Sequence, residues 1–283
     1  MYLTRTPAIE RLIALALEED LPSGDVTSEA IFGPHDTATA RLLAKEDLVI
    51  CGLPLVPWIL ERFTGAAEFR PHVQDGEACH PGRTVGELSG SVLTLLGAER
   101  TLLNFLQHLS GVATGSRRLA ELTADGAGLR VVDTRKTLPG WRHLEKYAVA
   151  VGGCGNHRFS LSSGVLIKDN HVDACGSITE AVARVRRTVP HGLKIEVEVR
   201  DEGEAAEAVA AGAEFLLLDN MTPETVRRIC DAHRGRAGFE ISGGVHSGNV
   251  ERYFGLGADL VSMGALTHSA RAVDLSMKIQ VTR

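Results

Sequence analysis

Aromatic residues are scarce in this 283-residue chain, at 5%, which argues against a nucleic-acid platform built from stacked rings. Positive charge is also in deficit. Thirty Lys+Arg stand against 36 Asp+Glu, a formal net charge of −6, so neither nucleic acid nor an anionic membrane is an expected partner and any anion site must be local. No run of about 18 apolar residues occurs, so no membrane-spanning helix is predicted. The five cysteines, Cys51, Cys79, Cys154, Cys175 and Cys230, contain no CxxC pair, and the opening Met1-Tyr2-Leu3-Thr4-Arg5 lacks a basic-then-apolar signal segment. A reducing cytoplasm is the expected compartment. Cys154 and His157 with His171 and Cys175 make an alternative metal set, but their spacing matches no common zinc pattern.

What is present is 44% hydrophobic residues and 30 glycines, enough for a large core punctuated by tight turns. Thr6 as N-cap and Pro7 as first helical residue introduce Ile9, Leu12, Ile13 and Ala16 at helical spacing. Strands are expected over Thr39 to Ala44 and Leu48 to Cys51, then short β pieces between Ala67 and Ser89. A long helix is expected from about Ser91 to Leu109, with Gly111 as its stop. From about residue 113 the pattern becomes strand, loop, helix, repeated. Expected strands are Leu129 to Asp133, Val165 to Lys168, Lys194 to Val199, Phe215 to Asp219, Gly238 to Ser242 and Asp259 to Met263, the alternation of a parallel α/β sheet. The echo of Ala211-Gly212-Ala213-Glu214-Phe215 in Leu256-Gly257-Ala258-Asp259-Leu260 favours a closed barrel over an open sheet.

Along Lys194 to Val199, Glu196 and Glu198 share one face with Lys194, while Ile195, Val197 and Val199 share the other. The charged face must look into a polar barrel interior or, alternatively, out from a solvated edge strand. Polar residues gather after the expected strands: Asp133-Thr134-Arg135-Lys136, Lys168-Asp169-Asn170-His171, Glu198, Asp219-Asn220, Ser242-Gly243-Gly244 and Gly264 to His268. In parallel α/β folds ligands bind at the carboxyl ends of the strands, so these segments name one mouth. Between Arg130 and His171 seven cations (Arg130, Arg135, Lys136, Arg142, Lys146, Arg158, Lys168) meet three acids (Asp133, Glu145, Asp169), a local +4. An anionic substrate is implied. Arg142, Glu145 and Lys146 are expected as ordinary surface pairs on one helix. Asn156-His157-Arg158 offers donors for carboxylate or phosphate oxygens, and the glycines of the last two loops allow close phosphate approach.

These residues resemble the quinolinate phosphoribosyltransferase family. The resemblance is carried by Glu99-Arg100-Thr101, Leu103-Asn104-Phe105-Leu106-Gln107, Asp133-Thr134-Arg135-Lys136-Thr137, Leu144 to Val149, Asn156-His157-Arg158, Leu166 to His171, Glu196 to Val199, Leu218-Asp219-Asn220, Ser242-Gly243-Gly244 and Gly264 to Ser269. It covers nearly the whole chain in order. It implies an N-terminal α/β sandwich-like domain (1–112), an incomplete, seven-stranded type of α/β barrel (113–268) and a tail (269–283) returning to the first domain. It also implies a homodimer in which Arg100 enters the partner's site.

The implied reaction joins quinolinate to 5-phosphoribosyl-1-pyrophosphate, releasing pyrophosphate and carbon dioxide and forming nicotinate mononucleotide for NAD biosynthesis. By resemblance Arg100, Arg135, Lys136, His157, Arg158 and Lys168 bind anionic groups, and Glu198 and Asp219 serve the ribose and Mg²⁺. Ser242, Gly243, Gly264 and His268 match phosphate-binding loops; Lys136, Lys168, Glu198 and Asp219 are the expected catalytic set. Two departures from the family pattern, Leu48 and Ser162-Ser163, fall outside these positions. Two alternatives stand beside this reading: a Schiff-base sugar-phosphate aldolase using Lys168, and a ligand-binding or transport-accessory paralogue of the same fold.

Overall fold

In the computed structural model, which describes residues 2–124 and 128–282, the chain forms two units. The first comprises Met1–Arg118, Thr137–Gly153 and Leu266–Arg283, and the second Leu119–Lys136 and Cys154–Ala265.

The first unit begins with α1 (Pro7–Asp20), where the Thr6 hydroxyl accepts from Ile9 N, and α2 (Val26–Ile31). Next come β1 (Thr37–Ala44), β2 (Leu48–Val49), α3 (Leu55–Leu60), β3 (Ala67–Pro71), β4 (Ala78–Cys79) and β5 (Thr84–Ser91). β1 alternates strictly: Ala38, Ala40, Leu42 and Ala44 are buried while the intervening side chains face outward, as a sheet covered on one face requires. The C-terminal strand β12 (Leu275–Thr282) pairs antiparallel with β1, Ala44 opposite Leu275, giving the sheet order β12-β1-β5-β3.

The long helix departs from expectation. α4 (Val92–Ala124) runs 33 residues, straight through Gly111. A Cβ on Gly111 would lie 2.2 Å from the Arg271 carbonyl oxygen, so this glycine admits the returning chain instead of ending the helix. α5 (Arg142–Gly152) ends at Gly153, which takes φ 104°. The surface pairs expected on α5 are also corrected. Glu145 is fully buried, accepting from Leu138 N at 3.1 Å and lying 2.8 Å from His108 Nε2, and Lys146 is buried too.

The second unit holds β6 (Arg130–Val132), β7 (Val165–Ile167), α6 (Asp169–Cys175), α7 (Ile178–Thr188), β8 (Ile195–Val199), α8 (Glu202–Ala210), β9 (Phe215–Asp219), α9 (Pro223–His233), β10 (Gly238–Ser242), β11 (Leu260–Ser262) and the one-turn α10 (Ala265–His268), which reaches into the first unit. Six strands pair in parallel in the order β6-β11-β10-β9-β8-β7. The expected seventh place is reduced to a single bridge, Gly155 beside Val132. β8 lies between β7 and β9, so its charged face belongs to the interior and the edge-strand alternative falls.

The repeated phrase has a structural reason. Gly212 and Gly257 both take positive φ, 89° and 95°, and the acid two residues later caps the neighbouring strand. Glu214 accepts from Ile195 N at 2.7 Å and Asp259 from Phe239 N at 2.8 Å.

Candidate active site

At the carboxyl ends of the strands, the second unit holds a cavity of about 620 Å³ lined by Arg135 and Lys136 after β6, Lys168 after β7, Glu198 of β8, Asp219 and Asn220 at the end of β9, and Ser242, Gly243 and Gly244 after β10, with His157 and Arg158 from the loop behind Gly155. Nine of the residues expected at the mouth (Arg135, Lys136, His157, Arg158, Lys168, Glu198, Asp219, Ser242 and Gly243) meet here. Gly264 follows β11 and is half-buried, and it is not among the lining residues. Arg100 and His268 belong to the first unit. Arg100 is exposed on α4, and His268 Nδ1 lies 2.7 Å from Ser269 Oγ.

The wall is built by local devices. Asp133, fully buried at the end of β6, accepts from His157 N at 2.8 Å and so anchors the loop that carries His157 and Arg158. Lys136 N donates to Thr134 Oγ1, which turns the chain after β6. Asn220, the one described non-glycine residue with positive φ (54°), donates its N–H to the Ser242 carbonyl. A Cβ on Gly243 would sit 2.3 Å from Asn220 Oδ1. Successive left-handed glycines, Gly243 and Gly244, create the concave backbone turn that suits phosphate oxygens.

Lys168 Nζ donates to Glu198 Oε2 at 3.1 Å, and Asn220 Nδ2 to Asp219 Oδ2 at 2.7 Å. Burial pulls the Arg158 pKa down, and the nearby positive charge of Arg135 pulls it further. Two cations held together in this way favour occupation by an anion. Arg158 is aimed by its Nη1 hydrogen bond to the Gly164 carbonyl at 3.1 Å.

His157 is committed inward. Its Nδ1 accepts from Arg158 N at 2.7 Å, and its Nε2 lies 3.2 Å from Glu196 and 3.4 Å from Glu240. Glu240 is not among the expected site residues. It is buried on the inward face of β10, between Phe239 and Ile241, and the signal that marks it is the alternation that marked Glu196.

A cavity at the carboxyl ends of parallel strands, lined by Arg135, Lys136, Arg158 and Lys168 together with the carboxylates of Glu198, Asp219 and Glu240, fits an enzyme of the phosphoribosyltransferase class. The family model "Quinolinate phosphoribosyl transferase, C-terminal domain" matches residues 112–278, and its N-terminal counterpart matches residues 25–110. The chain belongs to the quinolinate phosphoribosyltransferase family. It is 38% identical over 274 residues to a probable carboxylating nicotinate-nucleotide pyrophosphorylase of Bacillus subtilis, covering 97% of this chain and 94% of that one. A Mycobacterium leprae nicotinate-nucleotide pyrophosphorylase is 38% identical over 94% of this chain and 95% of its own. The crystal structure of NadC from Streptococcus pyogenes superposes with TM-score 0.94 at 40% identity, covering all of both chains. The aldolase and transport-accessory alternatives give way to this assignment.

Proposed function

We propose that this chain joins quinolinate to 5-phosphoribosyl-1-pyrophosphate with loss of carbon dioxide, forming nicotinate mononucleotide for NAD biosynthesis. The observation that carries the reading is one cavity in which Arg135, Lys136, Arg158 and Lys168 face Glu198 and Asp219, in a chain belonging to this family. The cations suit a dicarboxylate and the phosphates of its co-substrate, Arg158 offering a planar fork to a carboxylate.

As pyrophosphate leaves, positive charge develops at the ribosyl C1, where Glu198 and Asp219 stabilise it electrostatically. The pyridine nitrogen attacks C1, held in line by the cationic wall. The nitrogen is then cationic, so the electron pair left at C2 when the C2–carboxylate bond breaks is stabilised by the ring. A proton adds there. The protein's part in this second step is to fix the carboxylate and exclude water.

Glu198 and Asp219 are oxygen donors on the wall of one cavity. That donor set suits Mg²⁺, which usually joins one or two carboxylates to substrate phosphates. Glu198 and Asp219 would hold the ion, which would supply neutralisation of negative charge on phosphate oxygens. The backbone turns at Ser242-Gly243 and at Gly264, and the side chain of His268, complete the proposed phosphate contacts. We assign the enzyme to the cytoplasm as a homodimer, with Arg100 of each protomer entering its partner's cavity. The exposure of Arg100 and five free cysteines support these assignments.

The test is pyrophosphate release from 5-phosphoribosyl-1-pyrophosphate, measured with quinolinate and separately with nicotinate, with and without Mg²⁺. Release is expected with quinolinate only, and only with the metal. No release with quinolinate at any Mg²⁺ concentration overturns the reading.

A further inference from the structure

The turn that leads into β7 is tied by serine hydroxyls, and no step of the proposed reaction uses it. Ser160 N donates to Ser163 Oγ at 2.8 Å, and the same hydroxyl donates back to the Ser160 carbonyl at 3.2 Å. Ser160 Oγ lies 2.8 Å from Ser162 Oγ and accepts from Ser162 N at 3.3 Å. Residues 160–163 are thereby closed on themselves, although Leu161, Ser162 and Ser163 are all exposed. Hydroxyls bonded to nearby backbone in this way fix a turn that has no packing to hold it.

The next residue, Gly164, is what the turn presents. Its carbonyl accepts from Arg158 Nη1 at 3.1 Å, one residue before β7, an edge of the six-stranded sheet. A Cβ on Gly164 would lie 3.2 Å from Arg158 Cβ and 3.7 Å from its Cδ, so the arginine stem runs along bare backbone. Gly164 is not among the positive-φ glycines, and its missing side chain therefore serves this contact and not the backbone conformation.

Arg158 needs such a guide. It borders two cavities: the mouth, and a smaller one of about 250 Å³ that Ser163, Gly164, Leu193 and Phe215 also line. The side chain has open space on both sides, and packing alone does not choose between them. A neutral carbonyl aims the guanidinium without neutralising it, which leaves its charge available to a substrate carboxylate.

We propose that Ser163 and Gly164 are positioning residues for Arg158 and so help to set the affinity for quinolinate. The Ser163 hydroxyl fixes the turn that holds the Gly164 carbonyl in place, and the bare Gly164 backbone gives the arginine stem its track. A guanidinium already held loses less freedom when it grips a carboxylate. Ser163 belongs to one of the two departures from the family pattern, and it acts on substrate through Arg158, not by touching it. The proposal rests on quinolinate being the substrate.

The test uses the full-length protein, with quinolinate dissociation constants from calorimetry and kcat and KM from steady-state kinetics. Ser163→Ala deletes both hydroxyl bonds, whereas Gly164→Ala leaves the serine turn intact and presses on the Arg158 stem directly. Each is expected to weaken quinolinate binding and raise its KM by about three- to tenfold. With binding lost equally from ground state and transition state, kcat should stay within about twofold of the wild type. Ser163→Thr keeps the hydroxyl and is expected to bind within about twofold of the wild type. In an Arg158→Ala background, measured at high quinolinate concentration, neither alanine variant should weaken binding further by more than about twofold.

A merely structural turn would lower stability and leave KM unmoved, or would weaken binding equally with and without Arg158. Either result overturns the proposal, as does a Ser163→Thr protein as impaired as Ser163→Ala. Should Ser163→Ala fail to fold, Gly164→Ala and its combination with Arg158→Ala decide the matter. A wild-type protein that binds no quinolinate removes the substrate assignment and the proposal together. A wild type that binds it, beside alanine variants that bind it equally well, removes the proposal alone.

Discussion

Lys168 Nζ meets Glu198 Oε2 at 3.1 Å across adjacent strands, with Lys168 47% exposed and Glu198 12%. An ion pair with one member so exposed contributes little to stability, about 0–1 kcal/mol, so its place at the mouth is better explained by chemistry than by folding. Lys168→Ala and Glu198→Gln should therefore each lower kcat/KM by about 10²- to 10³-fold while shifting thermal unfolding by only a few degrees or less. The double variant should lose much less than the product of the two single losses, because the residues act as a unit. Steady-state kinetics and melting curves on the three variants check this, and a strongly destabilised Lys168→Ala would return the pair to a folding role.

Arg100 belongs to the first unit and is exposed on α4. If it serves the partner's cavity, Arg100→Ala protein and Lys168→Ala protein, each inactive alone, should recover activity after being unfolded together and refolded. Random pairing makes half the dimers mixed, each with one intact site, so about a quarter of wild-type activity is the expected ceiling. No recovery from two well-folded variants that exchange subunits would sink the shared site.

Much of this was legible from residue order. The second unit's strands follow the predicted ones to within a residue at either end, and Phe215–Asp219 and Gly238–Ser242 coincide with them, because buried parallel strands bounded by glycine and polar loops leave a local signature. The charged face of Glu196 and Glu198 was legible for the same reason, since alternation across a strand needs no tertiary knowledge. What escaped was set by partners distant in sequence. Glu145 lies on a helix whose charges are spaced like surface pairs, and its contact with His108 and the hydrogen bond from Leu138 N–H, both from residues outside that helix, offset the cost of its burial. Glu240 is a single acid in a short strand, and its meaning comes from Glu196 and His157 across the barrel interior.

Gly111 belongs with those misses, and it yields a stability prediction. In the sequence it reads as a helix stop, yet α4 passes through it and the Arg271 carbonyl oxygen occupies the space a side chain would take, 2.2 Å from the Cβ position. Since the obstacle is backbone, it cannot swing aside as a flexible side chain would. Gly111→Ala improves intrinsic helix propensity by up to about 1 kcal/mol, but forcing the returning chain away costs about 1–3 kcal/mol or more. The net expectation is a loss of stability, read as a lower denaturant midpoint. Faster hydrogen exchange should be concentrated in β12, which pairs with β1 just beyond. A variant as stable as the wild type, with β12 equally protected, would show that the contact yields freely.

The Glu240 carboxyl also predicts how stability depends on pH, independently of any substrate. Its folded-state pKa is raised from 4.5 to about 7 by burial and by the Glu196 charge, so between those values the folded chain holds a proton that the unfolded chain releases. Stability from this group is fully present below pH 4.5 and is lost as pH rises through about 7. Other carboxylates act in the opposite direction: Glu46, lowered chiefly by its hydrogen bond from Arg271, gains stability as pH rises through the acid range. The Glu240 contribution is separable because its upper limit lies near neutrality. Unfolding midpoints measured between pH 5.5 and 8.5 should fall with pH in the wild type, by about a few degrees, and the slope should flatten in Glu240→Gln. The amide keeps the shape and cannot ionise, so any slope that survives belongs to other groups. An identical slope in both proteins would show that Glu240 stays charged when buried, and that His157 alone suffices to hold it.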